Sequence, residues 1–343
     1  MSKRCAGNKF MLFLLIWFIV GLLLLSQFMP VSFMSSPWGL IFTQLVLLLL
    51  PMFVWARVQG DKLSLFMPRE KLGAKNILLL VLFTYLILPA TMALSAITAL
   101  FVNNYVPQVI AELVDYPLWL MLLAMAVTPG VVEEVVFRGY LQSKHKRRTI
   151  HGAAFLNGLF FGIIHLNLHQ FFYAFVLGVV FVYLVHHTRS VWAGIIPHFL
   201  FNATSVVIGR WALNFEIPDI MEAEQAATGI PGVSAEVAGI IVITGLALLL
   251  MPLTVSVYRT IVRHNGRRFA TPPVMVDALP QGNTFESFES PEIPKAPETM
   301  GEMLLDYNGE EPNKKDATPP LFDIYAIAVV AVFTVFVLLT ILG

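Results

Sequence analysis

Three short spacings in this 343-residue chain put reactive groups inside segments that are otherwise apolar. Glu133 and Glu134 are adjacent and followed by Arg138, in the stretch TPGVVEEVVFRGYL. Phe161 precedes His165 by four residues in FFGIIHLNLH, and His198 precedes Asn202 by four in IIPHFLFNAT. A charged side chain at the centre of a membrane helix costs about 2.5–3.5 kcal/mol on insertion scales, so one that persists there needs a partner or a task. A carboxylate and an imidazole together in a dry site are suited to base catalysis.

Helical geometry separates the two carboxylates. Glu134 and Arg138 are four apart with Glu leading, the favoured order for an ion pair on one face. Glu133 is turned away by about 100°. One carboxylate is then structural and the other is free for chemistry. Pro129 and Gly130 lie just upstream, where a helix can kink or restart. Each spacing also has a plainer reading. The acidic pair and Arg138 could be a buried triad that only pins helices. His165 could be a hydrogen-bonding strut, and His198 with Asn202 could join two helices. His165 and His169, four apart, could be a helical metal pair, although His169 falls at the outer end of its segment, where a solvated histidine is expected.

Composition fixes the setting. Hydrophobic residues make up 57% of the chain and charged residues 13%, against roughly 25% charged in soluble domains. The mean hydropathy is +0.75. The expected fold is an all-α polytopic transmembrane helical bundle. About 20 apolar residues cross a bilayer, and nine spans are expected: 10–29, 38–56, 77–102, 117–142, 153–169, 170–187, 191–213, 237–257 and 324–342. With the N-terminus cytosolic, 20 of the 22 Lys and Arg residues fall in cytosolic segments and none in the outer loops 30–37, 103–116 and 214–236, as the positive-inside rule requires. Arg138 and Arg210 are the exceptions, and nothing in the sequence explains Arg210. The zero net charge gives no sign of nucleic-acid binding, and the single Cys5 rules out an internal disulfide framework.

The expected organisation is a set of N-terminal membrane helices over 1–116, a core at 117–213 that carries all three spacings, and an outer loop with the eighth helix at 214–257. A cytosolic linker at 258–323, Pro-rich and acidic and read as disordered, then leads to a C-terminal helix at 324–343. On the expected spans, 1.5 Å per residue places Glu133 about 14 Å, His165 about 18 Å, His198 about 10 Å and Asn202 about 16 Å from the cytosolic surface. Unrelated struts would not be expected to share a depth, so these groups are read as one site in the inner leaflet.

The three spacings, in this order and on separate spans, resemble the CPBP family of intramembrane proteases, the group of CAAX proteases and bacteriocin-processing enzymes also called Abi. The motifs are Glu133-Glu134-x-x-x-Arg138, Phe161-x-x-x-His165 and His198-x-x-x-Asn202, and the similarity covers about residues 117–206. The resemblance implies an endopeptidase in which Glu133 and His165 activate water. It also implies an oxyanion site at His198 and Asn202, with Glu134, Arg138 and Phe161 orienting the groups. The substrate it implies is a prenylated CAAX-type peptide or a membrane-protein or peptide precursor, in a multi-pass protein of a prokaryotic cell membrane. No cofactor is expected. A zinc hydrolase using Glu133, His165 and His198 is the second reading, ranked lower because there is no helical His-Glu-x-x-His motif. A non-catalytic transporter, immunity or scaffolding protein is the third, although no inverted repeat is visible.

Overall fold

The computed structural model describes residues 5–61, 70–145, 148–214, 234–269 and 320–342. Among them every regular element is helical. We label the major helices α1 (Ala6–Phe28), α2 (Pro37–Val58), α3 (Ala74–Ala99), α4 (Leu118–Lys144), α5 (Ile150–Ile164), α6 (Leu168–Thr188), α7 (Trp192–Asn214), α8 (Ala235–Phe269) and α9 (Ile324–Leu342). Seven are long and apolar enough to cross a membrane; α5 and α9 are shorter apolar helices. The protein is an integral, multi-pass membrane protein. Short helices at Val31–Met34 and Val106–Glu112 lie in the connections that follow α1 and α3.

Helix starts follow local chemistry. Ser36 accepts a hydrogen bond from the Gly39 N–H ahead of Pro37, and Thr149 does the same for Gly152. Asn167 caps α6 through the Gln170 N–H, and Asp323 caps α9 through the N–H groups of Tyr325 and Ala326. Each satisfies a backbone donor that the first helical turn leaves open. In α2 and α4 the helix widens to π geometry at Leu45–Leu49 and Leu123–Val127, and a proline, Pro51 or Pro129, follows within two residues. A helical proline ring collides with the carbonyl four residues back. In both helices that carbonyl lies in the widened segment.

The helices alternate in direction, and contacts gather the basic segments on one face. Lys144 pairs with Asp61, and the Glu70 N–H donates to the Arg189 carbonyl. Arg268 reaches both Glu70 and the Lys71 carbonyl, and the Arg189 guanidinium covers the Phe269 ring. The opposite face holds the Val106–Glu112 helix and the α5–α6 turn. Arg210 belongs to that face. Its Nη1 donates to the Tyr116 carbonyl at 2.6 Å and meets Met121 Sδ at 2.9 Å, so it ties α7 to the entry of α4.

Two boundaries differ from expectation. The fifth span was expected over 153–169, but α5 ends at Ile164. Leu166 has φ +50° and Asn167 starts a new helix. His165 and His169 therefore do not share a helix and form no helical metal pair. The eighth span was expected to end at 257, but α8 continues to Phe269. Residues 258–269, read as the start of a disordered linker, are helical because they pack. Val257 and Ile261 join the core of α3, α6 and α7. Asn265 and Asn76 exchange two amide hydrogen bonds of 3.0 Å while fully buried. The rest of that linker, 270–319, and most of the acidic outer loop, 215–233, lie outside the described residues.

Helices α5 and α6 pack closely. A Cβ on Gly178 would lie 2.7 Å from the Gly158 Cα, and one on Gly162 would lie 2.9 Å from the Phe171 carbonyl oxygen. Small residues let backbones approach where lipid offers no hydrophobic drive. The last helix docks on α1 and α5, with Phe333 stacked on Phe171 at 5.5 Å. At its basic-face end a polar cluster closes the junction. His145 Nε2 pairs with Asn8 Oδ1 at 3.2 Å, and Arg148 donates to the Pro320 carbonyl at 2.8 Å. Burial, with the Arg148 cation adding to it, pushes the His145 pKa down to about 3.

Two outcomes follow for stability. Asn265→Leu alone strands the Asn76 amide and costs about 1–3 kcal/mol. Asn76→Leu/Asn265→Leu removes both partners and recovers much of that loss, as thermal unfolding in detergent will read. His145 titrates below the ordinary histidine value of 6.5, so its neutral form is the one the fold holds. That contribution is complete above pH 6.5 and drains as pH falls from there towards 3, because the unfolded chain takes up a proton that the folded chain refuses. His145→Gln, which keeps a partner for Asn8, should lose less stability than wild type between pH 7 and pH 5.

Candidate active site

The site is built around the Glu134 carboxylate, which is fully buried. Its Oε1 accepts from Arg138 Nη1 at 2.9 Å and from His198 Nδ1 at 2.9 Å. The ion pair expected four residues apart on α4 is therefore present, and it also holds a side chain of α7. Arg138 is 1% exposed. Its Nη2 donates to the Gly178 carbonyl at 3.3 Å. Its guanidinium lies 4.3 Å from the Phe161 ring centre and 5.3 Å from that of Phe181, a cation–π cage that replaces water around the charge. Gly194 makes room for the carboxylate, since a Cβ there would lie 2.2 Å from Glu134 Oε2.

The α4 backbone is adapted at this point. Directly after Glu134 the helix takes π geometry over Val135–Leu141. Asn157 on α5 donates to the Phe137 carbonyl at 2.9 Å, satisfying an acceptor in the widened turn. Such turns recur at functional sites because they re-aim side chains within an otherwise regular helix.

Glu133 faces a different environment. Its Oε1 accepts from Gln44 Nε2 of α2 at 2.9 Å. Its Oε2 has no hydrogen-bond partner and lies 3.8 Å from His198 Nε2, too far for a direct hydrogen bond. His198 Nδ1 must carry a proton to bond a carboxylate, so Nε2 is the atom turned towards Glu133. His165 Nδ1 donates to the Phe161 carbonyl at 2.7 Å, which makes its Nε2 an acceptor. Glu133, Phe161, His165, His198 and Asn202 line one cavity of about 420 Å³. Glu134 and Arg138 stand behind it.

Five of the seven residues read from the sequence thus share the cavity, and the other two support it. His169 is elsewhere. Its Nε2 meets the hydroxyl and carbonyl of Ser95 at 3.2 and 3.1 Å, linking α6 to α3. Gln44 escaped the sequence reading. Its signal was available, as an amide in the apolar run FTQLVLLLL, but no motif marked it. Tyr173 and Phe181 also line the cavity. Among the described residues, no three His, Cys, Asp or Glu side chains converge as a metal-ligand set.

Comparison with known proteins falls on this same region. Residues 115–204 match the family described as Rce1-like, type II CAAX prenyl endopeptidase Rce1-like. The "Putative membrane peptidase YdiL" of Bacillus subtilis (strain 168) is 23% identical over 90 residues, 26% of this chain. The match spans 37% of the length of that relative. No solved structure matches. The matched stretch contains all three motifs and the cavity wall they form, and it is this region, residues 115–204, that belongs with the Rce1-like CAAX-protease family, also called CPBP or Abi.

Proposed function

We propose that the protein is an intramembrane endopeptidase of the glutamate type. The observation that carries this reading is the division of labour between adjacent carboxylates. Glu134 gives Oε1 to both Arg138 and His198 and turns its Oε2 against Gly194, behind the cavity, while Glu133 lines the cavity and has an unpartnered Oε2. Water held against Glu133 loses a proton as it attacks the peptide carbonyl. His165 Nε2, an acceptor on the same cavity, positions that water. The tetrahedral oxyanion is met by Asn202 and by His198. With Nδ1–H committed to Glu134, His198 Nε2 donates only when the ring carries both protons. Glu133 then returns its proton to the leaving amine, which restores the starting state.

Phe161 serves by caging Arg138 and presenting its carbonyl to His165. Gln44 fixes Glu133 by occupying Oε1, which leaves Oε2 as the reactive oxygen. No cofactor is required by these steps. The basic face is assigned to the cytosol by the positive-inside rule, with α1 starting there. The substrate is a peptide or a membrane-protein segment. CAAX-type prenylated peptides are the candidates that the family name suggests.

Glu133→Gln keeps the Gln44 contact and the fold, and removes the base. Cleavage of a quenched peptide library by protein in lipid nanodiscs should fall by about 10²–10⁴-fold, with the melting temperature unchanged and a zinc chelator without effect on wild type. An active Glu133→Gln protein would refute the mechanism, and loss of activity on chelation with recovery on zinc would replace it by the zinc form. Gln44→Leu removes the amide that holds Glu133 Oε1 and so orients Oε2. It should lower kcat with the melting temperature little changed; an unchanged kcat would reduce Gln44 to packing.

A further inference from the structure

The reacting groups were expected near the cytosolic leaflet, yet the cavity extends the other way. Leu40 and Thr43 come from the first turns of α2, and Tyr105 and Val106 from the short helix between α3 and α4. Met125 lies in the first half of α4 and Ser205 in the second half of α7. All of these positions lie towards the face that carries no Lys or Arg loop. None of the lining residues belongs to the basic segments joined by Lys144, Arg189 and Arg268.

The length of α5 explains the direction. It starts at Ile150 beside the basic loop and has 15 residues, so it rises about 22 Å. The hydrocarbon core is about 30 Å thick. The chain therefore turns at Leu166 and Asn167 before it reaches the far surface. Asn167 and Gln170, at this sunken turn, line the cavity. Non-helical backbone at membrane depth is tolerated where it borders a polar cavity. Tyr105, 55% exposed, stands at the opposite rim. On the basic side the site is closed by the Glu134–Arg138–His198 group and its aromatic cage.

We infer that the site is entered from the face opposite the basic loops, so that its substrate is the extracytoplasmic juxtamembrane stretch of another membrane protein rather than the cytosolic CAAX-type peptide that the family name suggests. This substrate class rests on the endopeptidase reading above; the sidedness of the cavity does not.

The chain's single cysteine makes the test direct. In a Cys5→Ser background, Thr43→Cys and Ser205→Cys probe the cavity, and Gln59→Cys, exposed after α2, marks the basic face. A membrane-impermeant maleimide added to right-side-out vesicles should label the two cavity positions fully, and Gln59→Cys only after permeabilisation. Cavity positions that stay silent until permeabilisation, or a Gln59→Cys labelled from outside, would overturn the inference. Two single-span reporters, with the same cleavable stretch on the outer or the inner side of the anchor, are then co-reconstituted with the enzyme. Cleavage of the outer reporter alone, lost in Glu133→Gln, is the expected result, and cleavage of the inner reporter alone overturns it. If labelling is as expected but neither reporter is cut, the hydrolase reading and its substrate fail while the sidedness stands.

Discussion

A buried carboxylate between two cationic or hydrogen-bonding partners sets the conditions for everything around it. Removing Glu134 from water is expensive, and the cost is met only if its partners are held with good geometry. Those partners come from two helices, Arg138 one turn along α4 and His198 on α7. The arginine in turn needs its own surroundings, which are the Gly178 carbonyl on α6 and aromatic rings from α5 and α6. Four helices are thus positioned by one ionic group. The glycine at 194 and the glycine contacts between α5 and α6 allow the approach that this group demands.

The division between the two carboxylates is a matter of environment rather than type. Glu133 and Glu134 are neighbours in sequence and both are buried, yet one sits among fixed charges and the other borders open volume. The Glu134 carboxylate is bonded at Oε1 by Arg138 and His198, and its Oε2 faces Gly194 outside the cavity, so no substrate reaches it. A carboxylate with one oxygen held by an amide and one oxygen open is oriented and still reactive. His165 and His198 are fixed in the same way, each by a bond at Nδ1 that decides what Nε2 can do.

Much of this was legible in the amino-acid sequence, and the reasons differ by residue. Polar groups in apolar spans stand out because lipid penalises them, so the three motif helices were found without structural information. The Glu134–Arg138 pair was legible because it is local to one helix. The His198–Glu134 bond was not, since 64 residues separate its ends. Gln44 was missed because a lone amide carries little penalty and no partner is visible in sequence. The end of α5 was hidden because the apolar run continues through Leu166 and Leu168; only Asn167, read as a cap, betrays the break. The extension of α8 was hidden by its basic residues, which suggest a solvated surface, whereas Asn265 is paired in the interior.

The widened turns of α4 carry a consequence for how the chain can vary. A π turn accommodates about one residue more than the regular helix it interrupts. The helix therefore slips in phase twice, at Leu123–Val127 and at Val135–Leu141, on either side of Pro129–Glu134. At the end of the second slip and just past it, Tyr140 and Lys144 both reach Asp61, which follows α2. The rotational setting between the carboxylate pair and this anchor depends on the number of residues between them more than on their identities. Side chains in that interval can change with local effect, whereas adding or removing a single position would turn one end of the helix against the other.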